Sequence, residues 1–199
     1  FENQKIATVL KHFPGNSNTD PHTGLPEIKI SSEELKNELL EPFKKLLPLS
    51  SSVLMSHARV TVEDDFSYCD SSIPACLSEF WVTKVLREDF GFEGLVLSDD
   101  IFMGALADNG FLSEDAAVRA IEAGVNIIML SEKRFGSVAK ILLKKASESQ
   151  EFNQKIQKSV QKIIEYKIKG GLLELRQFDF DSDGKKLKIP AFKVVAADF

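Results

Sequence analysis

Short apolar runs alternating with helical patterns constrain this chain more than any other feature. Runs at residues 6–10 (IATVL), 52–56 (SVLMS), 94–97 (GLVL) and 125–130 (VNIIML) have the length and apolarity of strands. Helical spacing predicts helices over residues 31–47, 79–89, 113–123, 136–148 and 150–169. Ser31, followed closely by Glu33 and Glu34, supplies an N-cap and early acids for the first of these, while Gly124 and the Gly170, Gly171 pair supply stops. Strands alternating with helices imply parallel βαβ units, and continuously apolar strands imply a sheet covered on both faces.

Each apolar run hands over to polar, chemically capable residues at its C-terminal end. Leu10 leads into Lys11 and His12, Met55 into Ser56 and His57, Leu97 into Ser98, Asp99 and Asp100, and Leu130 into Ser131, Glu132, Lys133 and Arg134. A (β/α)8 barrel builds its active site from such strand ends. A doubly wound sheet also binds ligands at strand C-termini, but at one switch point. Polar residues after every strand favour the barrel.

Composition narrows the function classes. Of 199 residues, 43% are hydrophobic, enough for a real core, so global disorder and a fibrous repeat are excluded. Twenty-five basic residues against thirty acidic ones leave a net charge of -5, which argues against a nucleic-acid partner and suits a small or neutral one. No apolar run reaches the roughly 18 residues needed for a membrane span. Cys69 and Cys76 are the only cysteines, without a C-x-x-C pair; they could pair with each other in an oxidising compartment, and two reduced thiols are the preferred reading. The chain opens Phe1, Glu2, Asn3, Gln4 with no Met and no signal-like segment. The expectation is that the true N-terminus is missing or was removed, which leaves the compartment open between the cytoplasm and export.

Two loops carry candidate chemistry. Residues 11–26, KHFPGNSNTDPHTGLP, place a cation and an imidazole at a strand end, then a second imidazole, His22, two residues after Asp20. An Asp near a His can fix its tautomer and stabilise its protonated form, and a His is suited to passing protons near neutral pH. An incidental Asp-x-His in a surface loop is the competing reading. Residues 91–104, GFEGLVLSDDIFMG, put Asp99 and Asp100 after a buried strand, where at most one is expected to face the site and the other to cap or orient its surroundings. Near the C-terminus, Asp179, Asp181, Asp183 and Gly184 spell the opening of a calcium loop, but position 12 is Pro190 and no helix follows. An acidic hairpin turn is the preferred reading there.

Taken in order, Lys11-His12-Phe13-Pro14-Gly15, Asp20-Pro21-His22, Ser56-His57, Pro74-Ala75-Cys76-Leu77-Ser78, Leu86-Arg87-Glu88-Asp89-Phe90-Gly91-Phe92 and Ser98-Asp99-Asp100 resemble glycoside hydrolase family 3, in its single-domain beta-N-acetylhexosaminidase branch. The resemblance runs from about Ile6 to Leu173. It implies an α/β fold, the C-terminal half of a TIM-type (β/α)8 barrel of about four βα units over residues 1–175, followed by a short β-hairpin tail over residues 176–199. Four strands are visible where a closed barrel needs eight and about 250 residues. The other four units are expected upstream of Phe1.

The resemblance also implies roles. Asp99 matches the catalytic nucleophile, His22 the general acid/base, Asp20 its dyad partner, and Lys11 with His12 the pair that binds sugar hydroxyls. The implied reaction removes terminal beta-linked N-acetylglucosamine, typically from peptidoglycan fragments, with retention through a covalent glycosyl-enzyme. Neither a metal nor an organic cofactor is implied. The chain departs from the family loop in having Asn16 and Ser17 in place of His-Gly, two fewer residues, and Pro21 in place of Ser. A non-catalytic sugar-binding or structural descendant, an inactive fragment, and a phosphorylase remain open alternatives. The expected partners are a small carbohydrate substrate and either an N-terminal half-barrel segment or a second copy of the chain.

Overall fold

The computed structural model describes residues 6–17, 20, 24–65, 71–131, 134–175 and 192–194. The chain divides into two compact units, Phe1–Ser159 and Val160–Phe199. In the first unit the strands are β1 (Val9–Phe13), β2 (Glu27–Ile30), β3 (Ser52–Met55), β4 (Arg59–Val62), β5 (Leu95–Asp100) and β6 (Ile127–Met129). The helices are α1 over residues 32–46, α2 (Phe80–Asp89), α3 (Gly104–Asp108), α4 (Ser113–Ala123), α5 (Phe135–Glu148) and α6 (Gln150–Lys169), whose last part belongs to the second unit.

One four-stranded, wholly parallel sheet has the order β1-β3-β5-β6. Val53 lies between Leu10 of β1 and Val96 of β5. All four residues of β3 are buried, as expected for an inner strand covered on both faces. This is an α/β fold with a parallel sheet, each strand followed by helical cover.

The core grows outward from Phe13, the last residue of β1. Its ring meets Phe43 of α1 edge-on at 5.0 Å, and stands 6.1 Å from Phe90 and 6.3 Å from Trp81. Such T-shaped pairs add to the large apolar area the rings bury. Helix α2 turns Trp81, Val82, Val85 and Leu86 inward, all of them fully buried. At the start of α1, Ser31 Oγ accepts from the Glu34 amide while the Glu34 carboxylate accepts from the Ser31 amide, a reciprocal cap. Helix α4 ends at Gly124, whose φ of 108° lies in the left-handed region.

The strands differ from the sequence expectation in extent. The first runs from Val9 to Phe13 instead of over residues 6–10, because its ladder to β3 continues past Leu10. Lys11 and His12 therefore lie within the strand, and the ladder skips His12. The third runs on through Asp100, which pairs with Met129. Two further strands were not expected. Strands β2 and β4 form a small parallel sheet in which Ile28 pairs with Val60 and Ile30 with Val62.

A half-buried arginine ties the sheet to its helices. Arg87 at the end of α2 donates to the carbonyls of Phe92 (2.8 Å) and Gly94 (2.6 Å) and to Asn126 Oδ1 (2.7 Å). Asn126 Oδ1 also accepts from the Val96 amide, and Asn126 Nδ2 donates to Ser159 Oγ. Burial lowers the Arg87 pKa to about 10, which leaves the guanidinium charged at neutral pH. Gly94 must be glycine for a steric reason, since a Cβ there would stand 2.4 Å from the Ser51 carbonyl oxygen.

In the second unit, Gly171 (φ 73°) follows the end of α6, and β7 (Leu173–Leu175) pairs antiparallel with β8 (Phe192–Val194). The acidic turn of Asp179, Asp181, Asp183 and Gly184 lies outside the described residues. Among the described residues, no helix is long and apolar enough to cross a membrane.

Replacing Arg87 with Leu would leave two carbonyls and Asn126 short of a charged donor. A loss of about 3 kcal/mol is expected, read as a lower urea midpoint at unchanged slope. A shift below about 0.5 kcal/mol would remove Arg87 from its anchoring role.

Candidate active site at the strand ends

The parallel register brings the C-terminal ends of β1, β3 and β5 to one edge of the sheet, and the polar residues that follow the apolar runs meet there. Asp99 is 6% exposed, with the Asp100 amide donating to its Oδ1 at 2.8 Å. Its Oδ2 lies 3.7 Å from His12 Nε2, beyond hydrogen-bonding distance. Burial lowers the pKa of His12, the Asp99 charge raises it, and Lys11 lowers it again, with burial the largest effect. A neutral imidazole, able to donate through one nitrogen and accept through the other, results at neutral pH. Lys11 is exposed, and the Lys11–His12 and Phe13–Pro14 peptide bonds are cis.

Asp100 points elsewhere. Its Oδ1 accepts from the amides of Phe102 (3.0 Å) and Ser131 (3.1 Å), tying the turn after β5 to the second residue past β6. Ser98 Oγ accepts from the Met129 amide in the same region. The neighbouring carboxylates thus divide, one occupied by backbone amides and one with an oxygen facing an imidazole.

Beneath them lies His57, 1% exposed. Its Nε2 stands 2.9 Å from the Asp100 carbonyl oxygen and its Nδ1 3.1 Å from Cys76 Sγ. A carbonyl can only accept, so Nε2 carries the proton. Nδ1 of the neutral ring then accepts from the Cys76 thiol. Burial, with the Asp99 charge adding to it, pushes the thiol pKa up and keeps it protonated. The Cys76 segment docks through backbone bonds, Ala75 amide to Ala58 carbonyl and Cys76 amide to Ser56 carbonyl, both 2.9 Å. The sequence placed Ser56 and His57 at a strand end, but nothing in it pointed to the Cys76 contact.

The expected dyad is described only in part. Asp20 is exposed and its carbonyl accepts from the Gly24 amide at 3.1 Å, whereas His22 lies outside the described residues. Among the described residues, no group of three His, Cys, Asp or Glu side chains is placed to hold a metal ion. A cavity of about 630 Å³ between α4 and α5, lined in part by Arg119, Glu122, Lys145 and Glu148, includes none of the strand-end residues.

A parallel α/β sheet with a buried carboxylate, an imidazole and a cation at its strand ends defines the general class, a fold whose ligands meet the C-terminal edge. Residues 1–166 match the family model described as the glycosyl hydrolase family 3 N terminal domain. The chain belongs to this family. A beta-hexosaminidase of Tolumonas auensis is 34% identical over 134 residues, covering 65% of this chain and 37% of that protein. One from Psychromonas ingrahamii is 35% identical over 139 residues, covering 67% of this chain and 39% of that protein. A glycoside hydrolase family 3 beta-N-acetylglucosaminidase from Paenibacillus sp. str. FPU-7 superposes with a TM-score of 0.77 at 25% identity, over 95% of this chain and 36% of the other. The chain thus spans well under half the length of these relatives.

The buried histidine gives stability a pH dependence. Burial lowers the His57 pKa below its ordinary 6.5, followed by opposing contributions from the Asp100 carbonyl bond and the charges of Asp99 and Asp100, and a lowering one from His12. The unfolded chain therefore binds protons that the folded chain resists. The stability contribution is full above pH 6.5 and shrinks as pH falls below it, with His12 acting in the same direction. Unfolding free energy should fall between pH 7 and pH 5, and less steeply in His57→Gln. Stability rising on acidification across that window would contradict the assignment.

Proposed function

We propose that the chain is the second half of a (β/α)8 barrel, with the tail beginning after residue 175, in an exo-acting, retaining beta-N-acetylglucosaminidase. The placement of Asp99 carries the reading, with one oxygen fixed by the Asp100 amide and the other facing His12 at the end of β5. Family membership and the names of the relatives support it. So do the sheet edges, since among the described residues β1 and β6 each have a single partner strand, and Val9 and Met129 on them are exposed apolar residues. Four upstream βα units would cover those edges.

Asp99 attacks the anomeric carbon as the bond from that carbon to the leaving oxygen breaks, and His22, partnered by Asp20, gives its proton to the leaving alcohol. Water deprotonated by His22 then cleaves the glycosyl ester, releasing the sugar with its anomeric configuration retained. Lys11 donates to sugar hydroxyls. Neutral His12 can both donate to and accept from a hydroxyl, which suits an uncharged substrate. The substrate class is a terminal beta-linked N-acetylglucosamine, as in peptidoglycan-type fragments, and the residues require neither metal nor organic cofactor.

In protein extended by the upstream units, release of a chromogenic aglycone from a beta-N-acetylglucosaminide is expected, and Asp99→Asn should lower kcat by about 10⁴-fold or more. Residues 1–199 alone should show little turnover. Undiminished turnover in Asp99→Asn would remove Asp99 as nucleophile, and robust activity of the 199 residues alone would overturn the half-barrel requirement.

A further inference from the structure

Four groups from three segments distant in sequence form one line of hydrogen bonds that ends on the Asp99 carboxylate. The Cys76 thiol donates to His57 Nδ1 (3.1 Å), His57 Nε2 donates to the Asp100 carbonyl (2.9 Å), and the Asp100 amide donates to Asp99 Oδ1 (2.8 Å). Cys76 and His57 are essentially inaccessible to solvent, so neither touches a substrate. Their polar atoms are spent on each other and on the strand end.

We infer that His57, oriented by the Cys76 thiol, is a positioning residue that sets the rotation of residue 100 at the end of β5 and thereby aims Asp99 Oδ2 toward the substrate side of the sheet edge. The inference rests on the proposed role of Asp99 as nucleophile. Its physical basis is that residue 100 is held at two places. The Asp100 carboxylate is fixed by the amides of Phe102 and Ser131, and its carbonyl accepts from His57 Nε2 on one side and from the Met103 amide of the following turn on the other. Removing the His57 bond leaves the buried carbonyl with the Met103 amide (3.1 Å) as its one remaining partner, and a strand end free to turn toward that donor. Because the Asp100 amide holds Asp99 Oδ1, that turn moves the nucleophile itself.

The tautomer follows from the same geometry. Cys76 can donate to Nδ1 only if Nε2 carries the ring proton, so the thiol selects the form that can hold the carbonyl. Cys76→Ser keeps a donor at this position and Cys76→Ala does not. His57→Gln places an amide nitrogen where Nε2 stands, whereas His57→Leu fills similar volume with no donor.

The test compares these variants with Asp99→Asn in the extended protein. His57→Leu should lower kcat by about 10- to 100-fold with KM changed by less than about 3-fold, the size expected when a reacting group is displaced by about an ångström. His57→Gln should recover most of that loss, and Cys76→Ser should retain more activity than Cys76→Ala. Independently of turnover, long-range ¹H–¹⁵N spectra of the 199-residue chain should show His57 as the neutral, Nε2-protonated tautomer from pH 8 to pH 6. A folded His57→Leu protein with unchanged kcat, beside an inactive Asp99→Asn, would overturn the inference while leaving the hydrolase reading intact. An Nδ1-protonated ring would overturn it even if His57→Leu failed to fold. An active Asp99→Asn would instead remove the reading on which the inference rests.

Discussion

Everything at the candidate site depends on the parallel register of β1, β3 and β5. Because Val53 pairs with Leu10 on one side and Val96 on the other, the three strands end at one edge of the sheet. Polar groups separated by more than 40 residues in sequence, such as His57 and Asp100, come within hydrogen-bonding distance there. The register is itself held by apolar burial along β3 and by the Phe13 cluster below it. A one-residue slip in any strand would turn its polar end to the opposite face.

At that edge the titratable groups fall into two sets. Asp100, His57 and Cys76 bond to backbone or to one another, and their burial makes them part of the scaffold. The proposed function assigns the chemistry to the other set, Asp99 Oδ2, His12 and exposed Lys11. A carboxylate that must attack carbon needs a fixed orientation and a free oxygen, and neighbouring scaffold groups provide the first without consuming the second.

The alternation of apolar runs and helical patterns was enough to read the order of the four sheet strands and their helices from the sequence, because the inner strands β3 and β5 are buried on both faces and carry a continuous apolar signature. Strand limits were less legible. Lys11, His12, Asp99 and Asp100 continue their strands despite being polar, since the ladder to the neighbouring strand outweighs local composition. Strands β2 and β4 did alternate, with Ile28, Val60 and Val62 turning inward, but segments of four residues that each begin on a charged residue read equally as loop. The contact of His57 with Cys76 spans 19 residues and has no sequence signature. It arises only when the Pro74 to Ser78 segment docks on the turn after β3.

In the proposed function, Asp99 is the group that bonds to the sugar. The extended protein would be treated with a fluorinated beta-N-acetylglucosaminide that forms a glycosyl-enzyme faster than water removes it, and the labelled peptide located by mass spectrometry. One sugar per chain, esterified to Asp99 and absent in Asp99→Asn, is expected. A label on another residue, or continued turnover with no covalent adduct, would contradict it.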